Sequence, residues 1–265
     1  KKNNLNFFIK DLNDIKSLNE FHDVDLIIHC ASMTNAEKSF GKEKEMYKNN
    51  INCMKTVINY CSEHNTRLLH LSSTSVYGKQ AKLVDETCDK KFLKPQSPYA
   101  TTKLKEEELI SNLTNKEGLK AIHCRFGTIF GASPGMRFHT AVNKFCWQAV
   151  MGQPITVWTT AYDQKRPYLD LLDASQAIIY IIKNNIFDGQ IYNVLTHNST
   201  VRQVVDTIKV FVPNLEIDFV DNRIMNQLSY EVLCDRFKSK GFVFSGNLRR
   251  GIEETIDLLK NSNNK

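Results

Sequence analysis

The chain contains no run of about 18 apolar residues, so it carries no transmembrane-helix signal. It has no C-x-x-C, no block of like charge and no internal repeat. Its opening stretch, "KKNNLNFFIKDLND", lacks an apolar h-region followed by a cleavage site, which argues against a signal peptide. The seven cysteines (Cys30, Cys53, Cys61, Cys88, Cys124, Cys146 and Cys234) are an odd number and lie mostly in apolar runs. A disulfide framework and a zinc site are excluded on that pattern, and reduced thiols in a cytoplasmic protein are expected. The Asn112-Leu113-Thr114 and Asn198-Ser199-Thr200 triplets are then chance matches to a glycosylation acceptor. The formal charge is +6, but lysines are interleaved with acids, so nucleic acid and membrane partners are not indicated.

What is present is alternation. Short apolar or β-branched runs are separated by longer amphipathic ones, the pattern of an α/β protein with a mostly parallel sheet. "FFIKDL" (7–12), "VDLIIHCA" (24–31), "RLLHLSS" (67–73) and "LKAIHCRF" (119–126) read as strands, with helices over about 43–62 and 98–115. Strands that are apolar throughout suit a sheet covered on both faces. Beyond residue 130 come a Gly/Pro-containing loop and a helix, then shorter strands at 155–158 and 190–195. Helices are expected near 173–184, 200–211 and 248–260, and only the terminal "NSNNK" is expected to be disordered. In 265 residues this makes a nucleotide-binding sheet, residues 1–130, and a smaller lobe, residues 131–265, with some segments returning to the sheet.

Two local patterns carry chemistry. In "SPYATTKLKEEEL", Ser97 is an N-cap and Pro98 suits the first helical position. Tyr99 and Lys103 then fall one turn apart on one face. An ammonium beside a phenol favours the phenolate, which makes Tyr99 a candidate acid/base; the plain alternative is a Tyr–Lys pair on a solvated helix. In "LSSTSVYG", Ser72, Ser73 and Thr74 lie at the carboxyl end of a strand, where open α/β sheets present ligand-binding groups. The alternative there is a hydroxyl turn that merely ends the strand. His29, His70 and His123 sit inside strand runs and read as core residues. Phe145 and Trp147 read as packing, Tyr77 as structural, and "KLKEEEL" as a charged helix face.

"VDLIIHCAS", "NNINCMKTVINYC", "LLHLSSTSVYG", "SPYATTK", "CRFGTIFG" and "RPYLDLLDASQAI" follow one another in the order and spacing of a known family. The chain resembles the extended short-chain dehydrogenase/reductases, and within them the NAD-dependent nucleotide-sugar epimerase/dehydratases. The resemblance implies a Rossmann-type doubly wound parallel sheet with a smaller C-terminal α/β substrate lobe. It also implies NAD as cofactor (NADP not excluded), a nucleotide-sugar substrate, and a homodimer in which the "KLKEEEL" helix pairs with its twin. By the same resemblance Ser73, or Thr74 one position on, hydrogen-bonds the reacting sugar oxygen. Tyr99 is the general base, and Lys103 binds the nicotinamide ribose and holds Tyr99 partly ionised. Asp11 and Leu12 lie beside the adenine, Ala31 and Ser32 line the cofactor crevice, and Asn50 matches a family asparagine. Thr128 contacts substrate, and Arg166 grips the pyrophosphate with a planar fork suited to phosphate oxygens. Arg223 is a weaker second clamp.

The sequence departs from the family in three places. The G-x-x-G-x-x-G turn, whose glycines let the backbone approach a pyrophosphate, does not occur. The sequence is therefore expected to be a portion of a longer chain lacking about 40 residues, with a raw sheet edge and half a cofactor site. Thr128 replaces a frequent asparagine. Thr74-Ser75 stand where sugar 4,6-dehydratases usually carry carboxylates, which disfavours dehydration. Three functions stay open: epimerisation through a transient keto sugar, one-way reduction of a nucleotide-ketosugar, and non-catalytic nucleotide-sugar binding or scaffolding.

Overall fold

A computed structural model describes residues 5–34, 40–78, 83–221 and 230–263. Its first elements are β1 (Leu26–His29), α1 (Glu43–His64), β2 (Arg67–Ser73), β3 (Leu83–Val84), α2 (Pro98–Glu117) and β4 (Ala121–Phe126). Next come β5 (Thr128–Phe130), α3 (Ala141–Val150), β6 (Ile155–Trp158), β7 (Lys165–Asp170), α4 (Leu171–Lys183) and β8 (Ile191–Val194). The last are β9 (His197–Thr200), α5 (Val201–Phe211), β10 (Ile217–Val220), β11 (Glu231–Val232), α6 (Asp235–Ser239) and α7 (Leu248–Asn263). The strongly periodic segments fall where the sequence puts them. The "NSN" after Lys260 is an exception, because α7 continues through it.

The chain divides into two compact units. The first comprises Lys1–Leu71, Ser97–His123 and Phe187–Gln190; the second comprises Ser72–Gln96, Cys124–Ile186 and Ile191–Lys265. Strands β2 and β4 begin in the first and end in the second. They belong to a four-stranded sheet of order β1-β2-β4-β8, in which β1 and β2 run parallel with His29 opposite His70.

In the first unit, α1 packs on α2 over a core that includes Met54, Val57, Cys61, Leu68 and Ile110. Apolar burial of this kind contributes about 25 cal/mol per Å² removed from water. The Ser97 hydroxyl accepts from the Ala100 N–H at 3.1 Å, Pro98 opens α2, and Gly118 closes it in the left-handed region. Residues 7–12 form no strand, contrary to the sequence expectation. An extended segment needs a neighbouring ladder for its N–H and C=O groups, and no described strand lies beside this one. Leu5, Phe7, Phe8 and Ile9 are consequently exposed. Among the described residues β1 pairs on one side only, and Ile28 on it is exposed.

The second unit contains a three-stranded sheet, β5-β7-β9, with β7 parallel to β5 and antiparallel to β9. The strands β7 and β9 were not legible as strands in advance, because Arg, Asn, Ser and Thr interrupt their apolar alternation. Phe130, Val142, Ile155, Tyr168, Val204 and Ile256 form the core. Helix α5 opens with a reciprocal capping box between Thr200 and Gln203. The Asp173 carboxylate accepts from the backbone of Ser245 and Gly246 and from the Thr196 hydroxyl, fastening the segment before α7. Among the described residues no helix is long and apolar enough to cross a membrane.

After β2 a 3-10 turn, Thr74–Tyr77, leads to Gly78, whose φ of 61° and ψ of −141° belong to glycine. A Cβ there would overlap the Lys94 carbonyl, which shares a β-bridge with Gly78. Gly78→Ala is expected to destabilise the fold by about 3 kcal/mol or more. Urea unfolding measures this directly, and an unchanged midpoint would refute the turn geometry.

Candidate active site

Tyr99 and Lys103 occupy one face of α2, with the lysine ammonium 6.0 Å from the centre of the phenol ring. Lys103 is buried, and its Nζ donates to Oε2 of Glu106 at 2.8 Å. The same oxygen lies 2.8 Å from Nε2 of His70. Nδ1 of His70 faces Nδ1 of His123 at 3.2 Å, and Nε2 of His123 lies 3.5 Å from the Ser111 hydroxyl. The side of "KLKEEEL" that carries Glu106 and Glu107 is therefore buried, not solvated. Only Lys105 and Glu108 form the surface pair that its charges suggest. The i, i+3 spacing of Lys103 and Glu106 was the available signal.

Electrostatics follow from burial. Desolvation pushes His70 well below the usual imidazole range, with the Lys103 charge acting in the same direction. His29 falls to about 4, again mainly through desolvation, and its Nε2 is buried without a hydrogen-bond partner among the described residues. Burial pushes the Glu106 carboxyl up, opposed by the neighbouring Lys103 ammonium. Among the described residues no group of three or more His, Cys, Asp and Glu is arranged to hold a metal ion. All seven cysteines are free thiols, and burial raises Cys61 and Cys146 to about 12, so neither is a thiolate at neutral pH.

The remaining sequence candidates of the first unit lie before β1, just after it and on α1. Leu12 and Ala31 line one apolar cavity of about 340 Å³, together with Ile28, His29, Val57 and Tyr60. Asn50 is fully buried and clamps Met33 twice, accepting from its N–H at 2.8 Å and donating to its carbonyl at 3.1 Å. That clamp fixes the loop carrying Ala31 and Ser32. The Ser32 hydroxyl lies 3.5 Å from the Met33 carbonyl. Asp11 is exposed; hydrogen bonds from Asn13 hold its carboxyl below the usual range.

In the second unit, the Ser73 hydroxyl is half-buried and caps the 3-10 turn, accepting from Ser75 N–H at 3.2 Å and Ser75 O–H at 2.9 Å. The Thr74 hydroxyl is buried, donates to the Phe126 carbonyl at 3.3 Å and also hydrogen-bonds the Tyr230 side chain. Thr128 opens β5 opposite Tyr168. Arg166 lies two residues before Tyr168 on β7, half-buried, and donates to the Gln164 side chain at 3.1 Å. Among the described residues no carboxylate pairs with Arg166; burial lowers its pKa, with Tyr230 and Tyr168 opposing. Tyr230 had no sequence signal and is identified by its proximity to Arg166 and its hydrogen bond with Thr74. Arg223 lies outside the described residues. Tyr77 and Phe145 are buried as the sequence suggests, with the Tyr77 hydroxyl donating to Asn193 at 2.9 Å.

Residues 1–194 match the model of the NAD dependent epimerase/dehydratase family, and the chain belongs to that family. It is similar to a trifunctional UDP-glucose 4,6-dehydratase/UDP-4-keto-6-deoxy-D-glucose 3,5-epimerase/UDP-4-keto-L-rhamnose-reductase of Arabidopsis thaliana. Identity is 28% over 247 residues, 88% of this chain and 36% of that protein. The chain thus spans about a third of the length of that relative. Among solved structures it is similar to a Thermotoga maritima UDP-glucose 4-epimerase with UDP-glucose: TM-score 0.86, 18% identity, covering 99% of this chain and 88% of that one. A Thermus thermophilus UDP-glucose 4-epimerase in complex with NAD gives a TM-score of 0.82 at 20% identity, covering 94% and 83%. The fold is accordingly the Rossmann-type α/β fold.

The depressed imidazole of His29 makes stability pH-dependent. The folded protein keeps it neutral down to about pH 4, whereas the unfolded chain protonates it below about 6.5, so stability is lost as pH falls through that window. His70 acts with the same sign, and the raised carboxyl of Glu106 acts with the opposite one. His29→Leu is expected to recover about 2 kcal/mol at pH 5 relative to pH 7. Parallel thermal melts at the two pH values, with an undiminished gap in the variant, would contradict the assignment.

Proposed function

We propose that the chain catalyses epimerisation of a nucleotide-activated sugar through a transient keto intermediate, with Tyr99 as the acid/base. The observation that carries this is the shared α2 face on which Tyr99 stands beside a buried lysine ammonium, in a member of this family. Tyr99 takes the proton of the reacting sugar hydroxyl and returns it after the sugar has turned over. Ser73, whose O–H is the more accessible of the two strand-end hydroxyls, hydrogen-bonds that oxygen. Lys103 holds the nicotinamide ribose and favours the ionised phenol. Arg166, with no carboxylate partner among the described residues, supplies its fork to the substrate pyrophosphate.

NAD or NADP, when bound, supplies the hydride acceptor and donor. The residues present fit its adenosine end: an apolar cavity walled by Leu12 and Ala31 suits a flat base, with Asp11 next to Leu12. Asn50 keeps the Ala31–Ser32 loop in place through Met33. Thr74-Ser75 supply no carboxylate, which supports epimerisation over sugar dehydration. A second reading, a one-way ketosugar reductase using the same residues, is favoured by the reductase named in the Arabidopsis relative. Stoichiometric use of reduced nicotinamide marks the reductase, whereas an epimerase recycles it.

A thermal-shift screen against UDP-, GDP-, CDP- and dTDP-sugars identifies the substrate, since a ligand of the folded state raises the midpoint with its concentration. With that substrate, Tyr99→Phe is expected to lower kcat about 100-fold or more while the melting midpoint is retained. Normal turnover in this variant defeats the proposal. Arg166→Met is expected to raise KM about tenfold with a smaller change in kcat, as loss of a charge-assisted phosphate contact does. An unchanged KM removes Arg166 from the substrate site.

A further inference from the structure

The hydrogen-bond chain behind Lys103 has a determinate direction. Where Nδ1 of His70 meets Nδ1 of His123 at 3.2 Å, one nitrogen must donate and the other accept. Nε2 of His70 faces a carboxylate oxygen at 2.8 Å, and a carboxylate only accepts. A neutral His70 therefore carries its proton on Nε2 and accepts at Nδ1. His123 then donates from Nδ1, and a neutral His123 accepts at Nε2 from the half-buried Ser111 hydroxyl. The order is Ser111 to His123 to His70 to Glu106, with Lys103 donating to the same Glu106 oxygen from the other side. The second oxygen of that carboxylate, Oε1, is buried with no hydrogen-bond partner among the described residues, whereas Oε2 meets both Lys103 and His70.

We propose that Glu106, held by His70 with His123 behind it, is a positioning residue that fixes the ammonium of Lys103 beside Tyr99. It rests on the assignment of Tyr99 and Lys103 as the reacting pair. Besides the histidines of β2 and β4, three elements pack charged or titratable groups against this lysine and carboxylate. Helix α2 contributes Glu107 beside Glu106; β1 and its end contribute His29, which feels both charges, and Cys30, which feels Lys103. Helix α1 contributes Cys53, which feels Glu106. Burial lowers His29 and His70 and raises the two thiols, while Glu106 is in direct contact with Lys103 at 2.8 Å. Without it a buried ammonium loses its counter-charge, and desolvation drives it to give up its proton at lower pH.

The test follows the Nζ of Lys103 by 1H–15N NMR of the intact protein, which needs no turnover. In Glu106→Gln its titration is expected to move down by about one pH unit or more, and Glu106→Asp is expected to restore most of the shift. An unmoved Lys103 titration overturns the proposal. In the unsubstituted protein, imidazole nitrogen shifts at pH 7 are expected to show the Nε2–H tautomer for His70 and Nδ1–H for His123. The opposite tautomers, or a charged ring, overturn it without any variant having to fold. The alkaline limb of kcat in Glu106→Gln is expected to move down with the Lys103 titration while KM stays within about twofold. A Lys103 titration that shifts while the kcat limb stays put overturns the Tyr99–Lys103 assignment and leaves the anchoring of Lys103 standing.

Discussion

A lysine ammonium removed from water must keep a counter-charge or surrender its proton, because desolvation of an isolated ion far exceeds any single packing gain. The Lys103 Nζ donates to one carboxylate oxygen, and that oxygen also meets an imidazole of the sheet. The first unit is organised around this contact. Helix α2 supplies both the lysine and its carboxylate from one buried face, β2 and β4 supply the histidines, and Ser97 and Gly118 fix where the helix begins and ends. Tyr99 inherits its surroundings from that arrangement, one turn up the same helix.

The second unit solves a different problem, the presentation of polar groups at the ends of short strands. Ser73 and Thr74 are adjacent in sequence, yet a single 3-10 turn gives them different roles. Ser73 caps the turn from a half-buried position, whereas Thr74 turns inward to the Phe126 carbonyl. Arg166 stands on β7 among phenols and an amide, an environment that disfavours its charge and offers no carboxylate among the described residues. Asp170 and Asp173, just beyond it, are already taken by backbone N–H groups of the segment before α7.

Much of this was legible in the amino-acid order because local signals and tertiary demands agree there. Ser97-Pro98 mark a helix start whichever way the helix packs, and "RLLHLSS" and "ITVW" coincide with β2 and β6. The misreadings arise where a partner decides the outcome. "FFIKDL" has strand composition, but composition does not provide a neighbouring ladder, and the segment stays irregular and exposed. "KLKEEEL" has the composition of a solvated helix, but its Glu106 and Glu107 are drawn inward by Lys103 and the strand histidines. Charge identity is written in the sequence; the burial that sets its energy is not.

The pairing of β1 with β2 places His29 directly opposite His70, on strands whose successive side chains alternate between faces. Sliding either strand by a single position would swing its imidazole to the far side of the sheet. A β2 displaced in this way would strand the Glu106 carboxylate in the interior with no imidazole beneath it. Strand alignment and the hydrogen bonding of a buried carboxylate thus depend on the same few atoms, so a wrongly threaded sheet carries a polar penalty in addition to a packing one.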